Sequence, residues 1–233
     1  MFFIILFGAG LLACSSVNTI TVEGGSVAVT KEYEETNRID SIISPYTDSL
    51  KDEMLEVIAV APKDFVKGRP NGVLNNWSAD AVLSYHKNTE GINGPIMSLL
   101  NVGGLRNPIS KGDVTIGDIY KLMPFDNMVV CVEMPMSSLT DIDYYLSVSG
   151  GEPISGVIYK NGKLQFTGEG EHASTYWIIT SDYLMNGGDK MNFFEQRVRV
   201  INTNMLLRET FIEVAKQQKE LDYSDDTRIF IER

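Results

Sequence analysis

Short apolar runs alternate along this chain with stretches in which apolar residues recur at helical spacing. Three of the runs have the length and apolar content of buried strands: 96–100, 128–134 and 176–180. Three segments have helical spacing: 74–86, 115–123 and 139–146. The Asn161-Gly162 pair separates two further apolar segments and favours a β-hairpin, because both residue types tolerate positive φ angles. We therefore predict an α+β domain with a mixed or antiparallel sheet and flanking helices.

Three segments give weaker predictions of secondary structure. The loosely alternating stretch 53–65 predicts an edge strand or a strand end, since Pro62 cannot donate to a central ladder. The segment 204–221 carries apolar residues at helical spacing and predicts a closing amphipathic helix. The apolar segment 228–231 predicts a last strand.

The length and charge of the chain limit its architecture and its partners. A chain of 233 residues is long enough to bury a substantial single core. Its formal net charge of -11 disfavours binding to nucleic acid or to an anionic membrane surface, because both would repel it. An anionic ligand would therefore need a locally basic pocket.

The loop that follows the apolar run 96–100 has the composition of a binding loop. It contains Gly103 and Gly104, which allow close approach of the backbone to a ligand, and Arg106, which offers a forked guanidinium to an anion. A polar turn, a helical segment and a proline-aromatic corner ending at Asn127 complete the stretch. Residue chemistry alone predicts a ligand loop here and does not identify the ligand.

The same stretch resembles the C-terminal, substrate-binding domain of the 5'-nucleotidase family. Members of that family carry an asparagine, glycines, an aliphatic residue and an arginine, followed by a Gly-Asp turn and a Pro-Phe corner ending in asparagine. A second family motif, aromatic-Leu-x-Asn-Gly-Gly-Asp, is matched by residues 183–189. The resemblance covers roughly residues 40–233 and implies the α+β fold predicted above.

The resemblance implies a role for each residue of the two motifs. In the family the two aromatic positions hold the base between them, the aspartate accepts the ribose hydroxyls, and the asparagines read base edges. The arginine contacts phosphate or sugar oxygens. The implied substrate-binding residues are Asn101, Gly103, Gly104, Arg106, Phe125, Asn127, Tyr183, Asn186, Gly188 and Asp189. Without the motifs, the two aromatics would be interpreted as core residues next to turns.

The sequence departs from the family pattern at three points. Val102 replaces one glycine of a triple glycine, which would place a Cβ where the backbone comes closest to the ligand. An arginine that many members use on the substrate is missing, and Lys87 is at best a weaker substitute. Tyr183 occupies a position that is usually phenylalanine, so it keeps the ring and adds a hydroxyl.

The residues of a dinuclear metal centre are missing from the sequence. Family members of full length pair the binding domain with an N-terminal metallophosphatase, which needs several His, Asp and Asn ligands. This chain has two histidines, His86 and His172, and none of the corresponding ligand motifs. We expect no catalytic residues, metal ligands or cofactor in this chain, and hydrolysis of a bound nucleotide by a separately encoded metallophosphatase. The alternative is a surface nucleoside-binding lipoprotein without a hydrolytic role.

The N-terminal residues predict export and a lipid anchor. Residues 1–13 form an apolar run that suits a signal peptide, and the segment before Cys14 resembles a bacterial lipobox. A basic n-region is missing, which is compatible with a start further upstream. Residues 14–36 are interpreted as a tether and 37–233 as the domain, with Cys14 as the lipidation site. We therefore expect the protein in the bacterial cell envelope, at the outer membrane or the cell surface, in contact with the membrane through lipid only.

Two further residues with reactive side chains are interpreted as structural. Cys131 lies in an apolar run and is expected to pack in the core without a reactive role. His86 ends a helical segment and is expected to be a C-terminal cap or a surface residue rather than a ligand.

Overall fold

The computed structural model describes residues 42–44, 50–168 and 173–231. The chain divides into two units, 1–44 and 45–233, and every element described below belongs to the second. The predicted signal peptide, Cys14 and the tether lie outside the described residues. Among the helices that are described, none has the length and apolar character needed to cross a bilayer.

The elements are numbered here in chain order within the described residues. The strands are β1 (Val57–Ala61), β2 (Ile96–Leu99), β3 (Gly112–Thr115), β4 (Met128–Pro135), β5 (Ile154–Ser155), β6 (Val157–Lys160), β7 (Lys163–Phe166), β8 (Thr175–Ser181) and β9 (Arg199–Leu206). The helices are α1 (Val73–His86), α2 (Ile116–Leu122), α3 (Leu139–Ser149), α4 (Asp182–Met185) and α5 (Leu207–Gln218).

Five strands form the main sheet in the spatial order β5-β2-β8-β4-β9. Strands β2 and β8 are parallel, whereas β5, β4 and β9 run antiparallel to their neighbours. The sheet is therefore mixed, and the predicted α+β class is confirmed. Two small antiparallel sheets, β1-β3 and β6-β7, lie beside it.

Strands β4 and β8 bury both of their faces, which explains their continuous apolar runs. Along β4, Cys131 packs into one hydrophobic cluster and its neighbour Val130 into the other. Trp177 and Ile178 of β8 alternate in the same way. The helices α1, α2 and α5 contribute to the first cluster and α3 to the second. Cys131 is fully buried, so its predicted place in the core is confirmed.

Local sequence signals define several element boundaries. The β6–β7 hairpin turns at Asn161 and Gly162, whose φ angles are 54° and 73°. The Thr115 hydroxyl caps α2 by accepting the backbone N–H of Asp118. Gly150, with a φ of 78°, ends α3 in the left-handed conformation. These predictions of a hairpin and two helices are confirmed.

The prediction for the C-terminal part is wrong in two places. Residues 204–206 belong to strand β9, and the closing helix begins only at Leu207. Strand β9 lies at an edge of the main sheet and is largely exposed, so its apolar residues do not follow an alternating pattern that would predict a strand. Its conformation depends on pairing with β4. The segment 228–231 makes only an isolated bridge, between Ile229 and Tyr159.

Two further differences concern β3 and His86. Strand β1 pairs with β3, a Gly-Asp segment that was predicted as a polar turn. His86 is only 4% exposed, so its assignment as a surface residue is wrong. Its Nε2 atom lies 2.9 Å from Thr210 Oγ1 of α5, and burial lowers the pKa of the imidazole to about 4.

Candidate ligand-binding site

Three segments from distant parts of the chain meet at one edge of the main sheet. Because β2 and β8 are parallel, their C-terminal ends lie together, and the antiparallel β4 begins at that same edge. The segments are the loop 101–106 after β2, the corner 124–127 before β4, and 182–189 after β8. The Asp182 carboxylate ties the last two together, since it accepts the backbone N–H of Met128 at 3.1 Å.

A cavity of about 290 Å³ lies where these segments meet. Its lining residues are Asn101, Gly103, Gly104, Arg106, Phe125, Asn127, Tyr183 and Asp189. The structure thus brings together eight of the ten predicted binding residues. The other two, Asn186 and Gly188, are close in sequence to the lining residues Tyr183 and Asp189 but do not line the cavity themselves. The binding role of all ten residues stays a prediction.

The two aromatic side chains of the cavity are exposed. Phe125 is 40% exposed and Tyr183 is 46% exposed, so neither is a core residue next to a turn. Gly188 explains the position of one ring, because a Cβ at Gly188 would come within 2.5 Å of the Tyr183 ring. The spacing of the motif 183–189 therefore allows the Tyr183 ring to pack directly against the Gly188 backbone.

The Asp189 carboxylate accepts two hydrogen bonds from the other residues of the site. Asn101 Nδ2 donates to Oδ2 at 2.6 Å, and the Tyr183 hydroxyl donates to Oδ1 at 2.9 Å. The Tyr145 hydroxyl of α3 donates to the Asp189 carbonyl oxygen at 3.2 Å. Sequence reasoning missed Tyr145, since no motif distinguishes it from the other residues of α3.

Two charged side chains, Glu152 and Lys67, form hydrogen bonds with the backbone of the loop 101–106. The buried Glu152 carboxylate, 2% exposed, accepts the Val102 N–H at 2.7 Å. Lys67 Nζ donates to the Leu105 carbonyl at 2.5 Å. Burial raises the pKa of the Glu152 carboxyl, and Arg69 pairs with it at 2.7 Å.

Val102 lies outside the lining of the cavity, and it is buried. The extra side chain at this departure from the triple glycine therefore does not narrow the cavity. A Cβ at Gly104 would come within 2.6 Å of Asn101 Oδ1, so a side chain there would displace the Asn101 amide.

Arg208 of α5 holds the backbone of the aromatic corner. Its side chain is 9% exposed, donates to the Phe125 carbonyl at 3.2 Å, and pairs with the Asp126 carboxylate at 2.8 Å. The guanidinium also lies 4.3 Å from the centre of the Tyr120 ring. Sequence reasoning missed Arg208, although an arginine on the buried face of a closing helix is itself an unusual signal.

Arg106 is the cationic residue of the cavity. Its guanidinium lies 5.9 Å from the centre of the Phe125 ring, and its Nη1 donates to Gly103 O at 3.3 Å. Lys87 does not line the cavity and so does not replace the missing second arginine there. Within the described ranges, no group of three or more His, Cys, Asp or Glu side chains is placed to hold a metal ion.

The chain is similar to known proteins in both sequence and fold. The family model described as 5'-nucleotidase, C-terminal domain, matches residues 57–141. Silent protein UshA(0) of Salmonella typhimurium is 30% identical over 142 residues, which is 55% of this chain and 26% of that protein. Protein UshA of Escherichia coli is 26% identical over 223 residues, which is 88% of this chain and 40% of that protein.

The similar structures share the fold at low sequence identity. The 5'-nucleotidase precursor from Thermus thermophilus has a TM-score of 0.67 and 22% identity, covering 82% of this chain and 42% of that chain. The Haemophilus influenzae NAD nucleotidase has a TM-score of 0.63 and 17% identity, covering 82% of this chain and 40% of that chain. This chain therefore spans less than half the length of these relatives. The family match over residues 57–141 and the common fold together support a 5'-nucleotidase C-terminal domain in this chain.

Proposed function

We propose that this domain binds a nucleoside or nucleotide in the cavity between Phe125 and Tyr183 and presents it to a metallophosphatase on a separate chain. The observation that carries the proposal is the convergence of two exposed aromatic rings, a carboxylate and an arginine in one cavity. The partner would supply the metal ions for phosphate-ester hydrolysis, and this chain would supply substrate recognition.

Each part of a nucleotide has a matching group in the cavity. Two exposed rings suit a flat base, since stacking on an aromatic side chain contributes about 1–3 kcal/mol per base. The Asn127 side chain makes no hydrogen bond within the described part of the chain, which leaves its amide for a base edge. Asp189 suits ribose hydroxyls and Arg106 suits a phosphate oxygen. The description of the matching family model, 5'-nucleotidase, C-terminal domain, supports the same substrate class.

Calorimetric titration of the full chain with adenosine tests the recognition step. We expect Phe125→Ala to weaken adenosine binding about tenfold or more, because one stacking face is lost. Phe230 is a matched control, since it is 44% exposed and does not line the cavity. Phe230→Ala should leave adenosine affinity unchanged. Absence of adenosine and AMP binding to the wild-type chain would refute the proposal.

Comparison of AMP with adenosine tests whether phosphate is recognised. We expect AMP to bind more tightly, and Arg106→Met to remove the difference, because Arg106 is the cation that lines the cavity. Equal affinity of the wild-type chain for both ligands would contradict phosphate recognition. That outcome would favour the alternative function, a surface nucleoside-binding lipoprotein.

The partner and the anchor are tested in the native host. Co-purification with the full chain should recover an enzyme that releases phosphate from AMP in the presence of divalent metal. Metabolic labelling with a fatty-acid analogue should modify the protein, and Cys14→Ser should abolish the labelling. A chain that carries no lipid in the wild-type form would contradict the proposed envelope location.

A further inference from the structure

The Tyr183 hydroxyl contacts the residue that is proposed to bind ribose. It donates to Asp189 Oδ1 at 2.9 Å, while Asn101 Nδ2 donates to Oδ2 at 2.6 Å. We propose that this hydroxyl is a specificity-determining group, which orients the Asp189 carboxylate so that it accepts the two vicinal hydroxyls of a ribose. The inference rests on the proposed nucleoside function and extends it to discrimination between sugars.

The two donors leave a defined pair of acceptor positions on Asp189. An ionised carboxylate has about four lone-pair positions, two on each oxygen. One position on each oxygen is used, by Tyr183 and by Asn101 respectively, so each oxygen keeps one. Two adjacent acceptors on one carboxylate match two hydroxyls on neighbouring carbons. Without the donors, the same carboxylate could rotate about its side-chain bonds and present the pair in many directions.

The backbone around Asp189 is held separately from its side chain. Gly187, Asp189 and Lys190 have φ angles of 88°, 50° and 65°, in the left-handed region. The Tyr145 hydroxyl donates to the Asp189 carbonyl at 3.2 Å. The left-handed backbone and the hydrogen bond from Tyr145 fix the position of the Asp189 backbone. Asn101 and Tyr183 fix the direction of its carboxylate.

The ring and the hydroxyl of Tyr183 therefore have separable roles. The ring packs directly against the Gly188 backbone and is positioned to stack on a base. The hydroxyl donates to Asp189, and this hydrogen bond raises the pKa of the Tyr183 phenol. A phenylalanine here would keep the stacking surface and lose the orientation of the carboxylate.

Isothermal titration of the full chain with adenosine and with 2′,3′-dideoxyadenosine separates these roles. We expect Tyr183→Phe to weaken adenosine binding roughly fivefold, the size of one net hydrogen bond. The same variant should bind the dideoxy compound as wild type does, within about twofold, since that ligand lacks both ribose hydroxyls. Tyr144→Phe is the matched control, because Tyr144 is 70% exposed, and both ligands should bind it as they bind wild type.

A second variant tests the route through Asp189. In an Asp189→Ala background, Tyr183→Phe should cause no further loss of adenosine affinity, because the group that it orients is gone. Unchanged adenosine binding in the single Tyr183→Phe variant would overturn the inference. Equal losses for the two ligands would also overturn it, since the hydroxyl would then act through stacking or folding. Wild-type protein that binds neither ligand would instead refute the proposed function, on which the inference depends.

Discussion

The buried imidazole of His86 should make the stability of this domain depend on pH below neutrality. It lies at the end of α1, against Thr210 of α5, and burial lowers its pKa from 6.5 to about 4. Between these values the unfolded chain binds a proton that the folded chain excludes. Stability therefore rises with pH across this window and is lost as pH falls from 6.5 towards 4.

The magnitude follows from the two pKa values. For one group with pKa values of 6.5 unfolded and about 4 folded, the linkage relation gives a loss on the order of 2–3 kcal/mol between about pH 8 and about pH 4.5. At about pH 5.5 the loss should be about half as large. Such an effect is a substantial fraction of the stability of a typical domain.

Urea denaturation of the wild-type chain and of His86→Gln, at a series of pH values, measures this contribution. Carboxyl groups also titrate in this range, and the difference between the two proteins removes their shared contribution. The variant should be less stable than wild type at about pH 8, and the gap should shrink by about 2–3 kcal/mol by about pH 4.5. A gap that stays constant with pH would show that His86 is not buried as a neutral side chain, and would refute the reasoning.

Three further substitutions or reactions test other parts of the structure. Arg208→Met removes the donor to the Phe125 carbonyl, and urea denaturation should show a loss of about 1–3 kcal/mol together with weaker adenosine binding. Glu152→Ala leaves the buried Val102 N–H without its acceptor and Arg69 without its ion-pair partner, and should cost about 1–3 kcal/mol. The control Glu133→Ala removes a partly exposed ion pair with Arg199 and should cost about 1 kcal/mol or less. Burial raises the pKa of Cys131 to about 11, so in a chain whose other cysteine is serine, a thiol reagent should react only after urea is added.

The sequence predicted the parts of the fold whose cause is local. The Asn161-Gly162 turn, the helical spacing of 115–123 and the apolar run of β4 each carry their own signal, and each predicted element was found. Strand β9 carries no such signal, because it is paired on one side and largely exposed on the other. Its structure depends on hydrogen bonds to β4, and no residue type encodes those bonds.

The candidate site likewise contains residues that the sequence predicted and residues that it did not. The resemblance of two short motifs to a known family selected all eight residues that line the cavity. The supporting residues were not predictable: Tyr145, Glu152 and Arg208 act through contacts with residues that are far away in the chain. Nothing in the residues around them indicates those partners.

The parallel pairing of β2 with β8 has a consequence for how the domain folds. Ile96 pairs with Trp177, so the two strands come together only when a long intervening segment has closed. Contacts of such high sequence separation slow folding, and the cavity cannot exist before they form. A ligand that binds here would bind the native state alone, so its affinity would appear directly as a shift in the unfolding midpoint. Ligand binding would therefore be thermodynamically linked to assembly of this sheet edge.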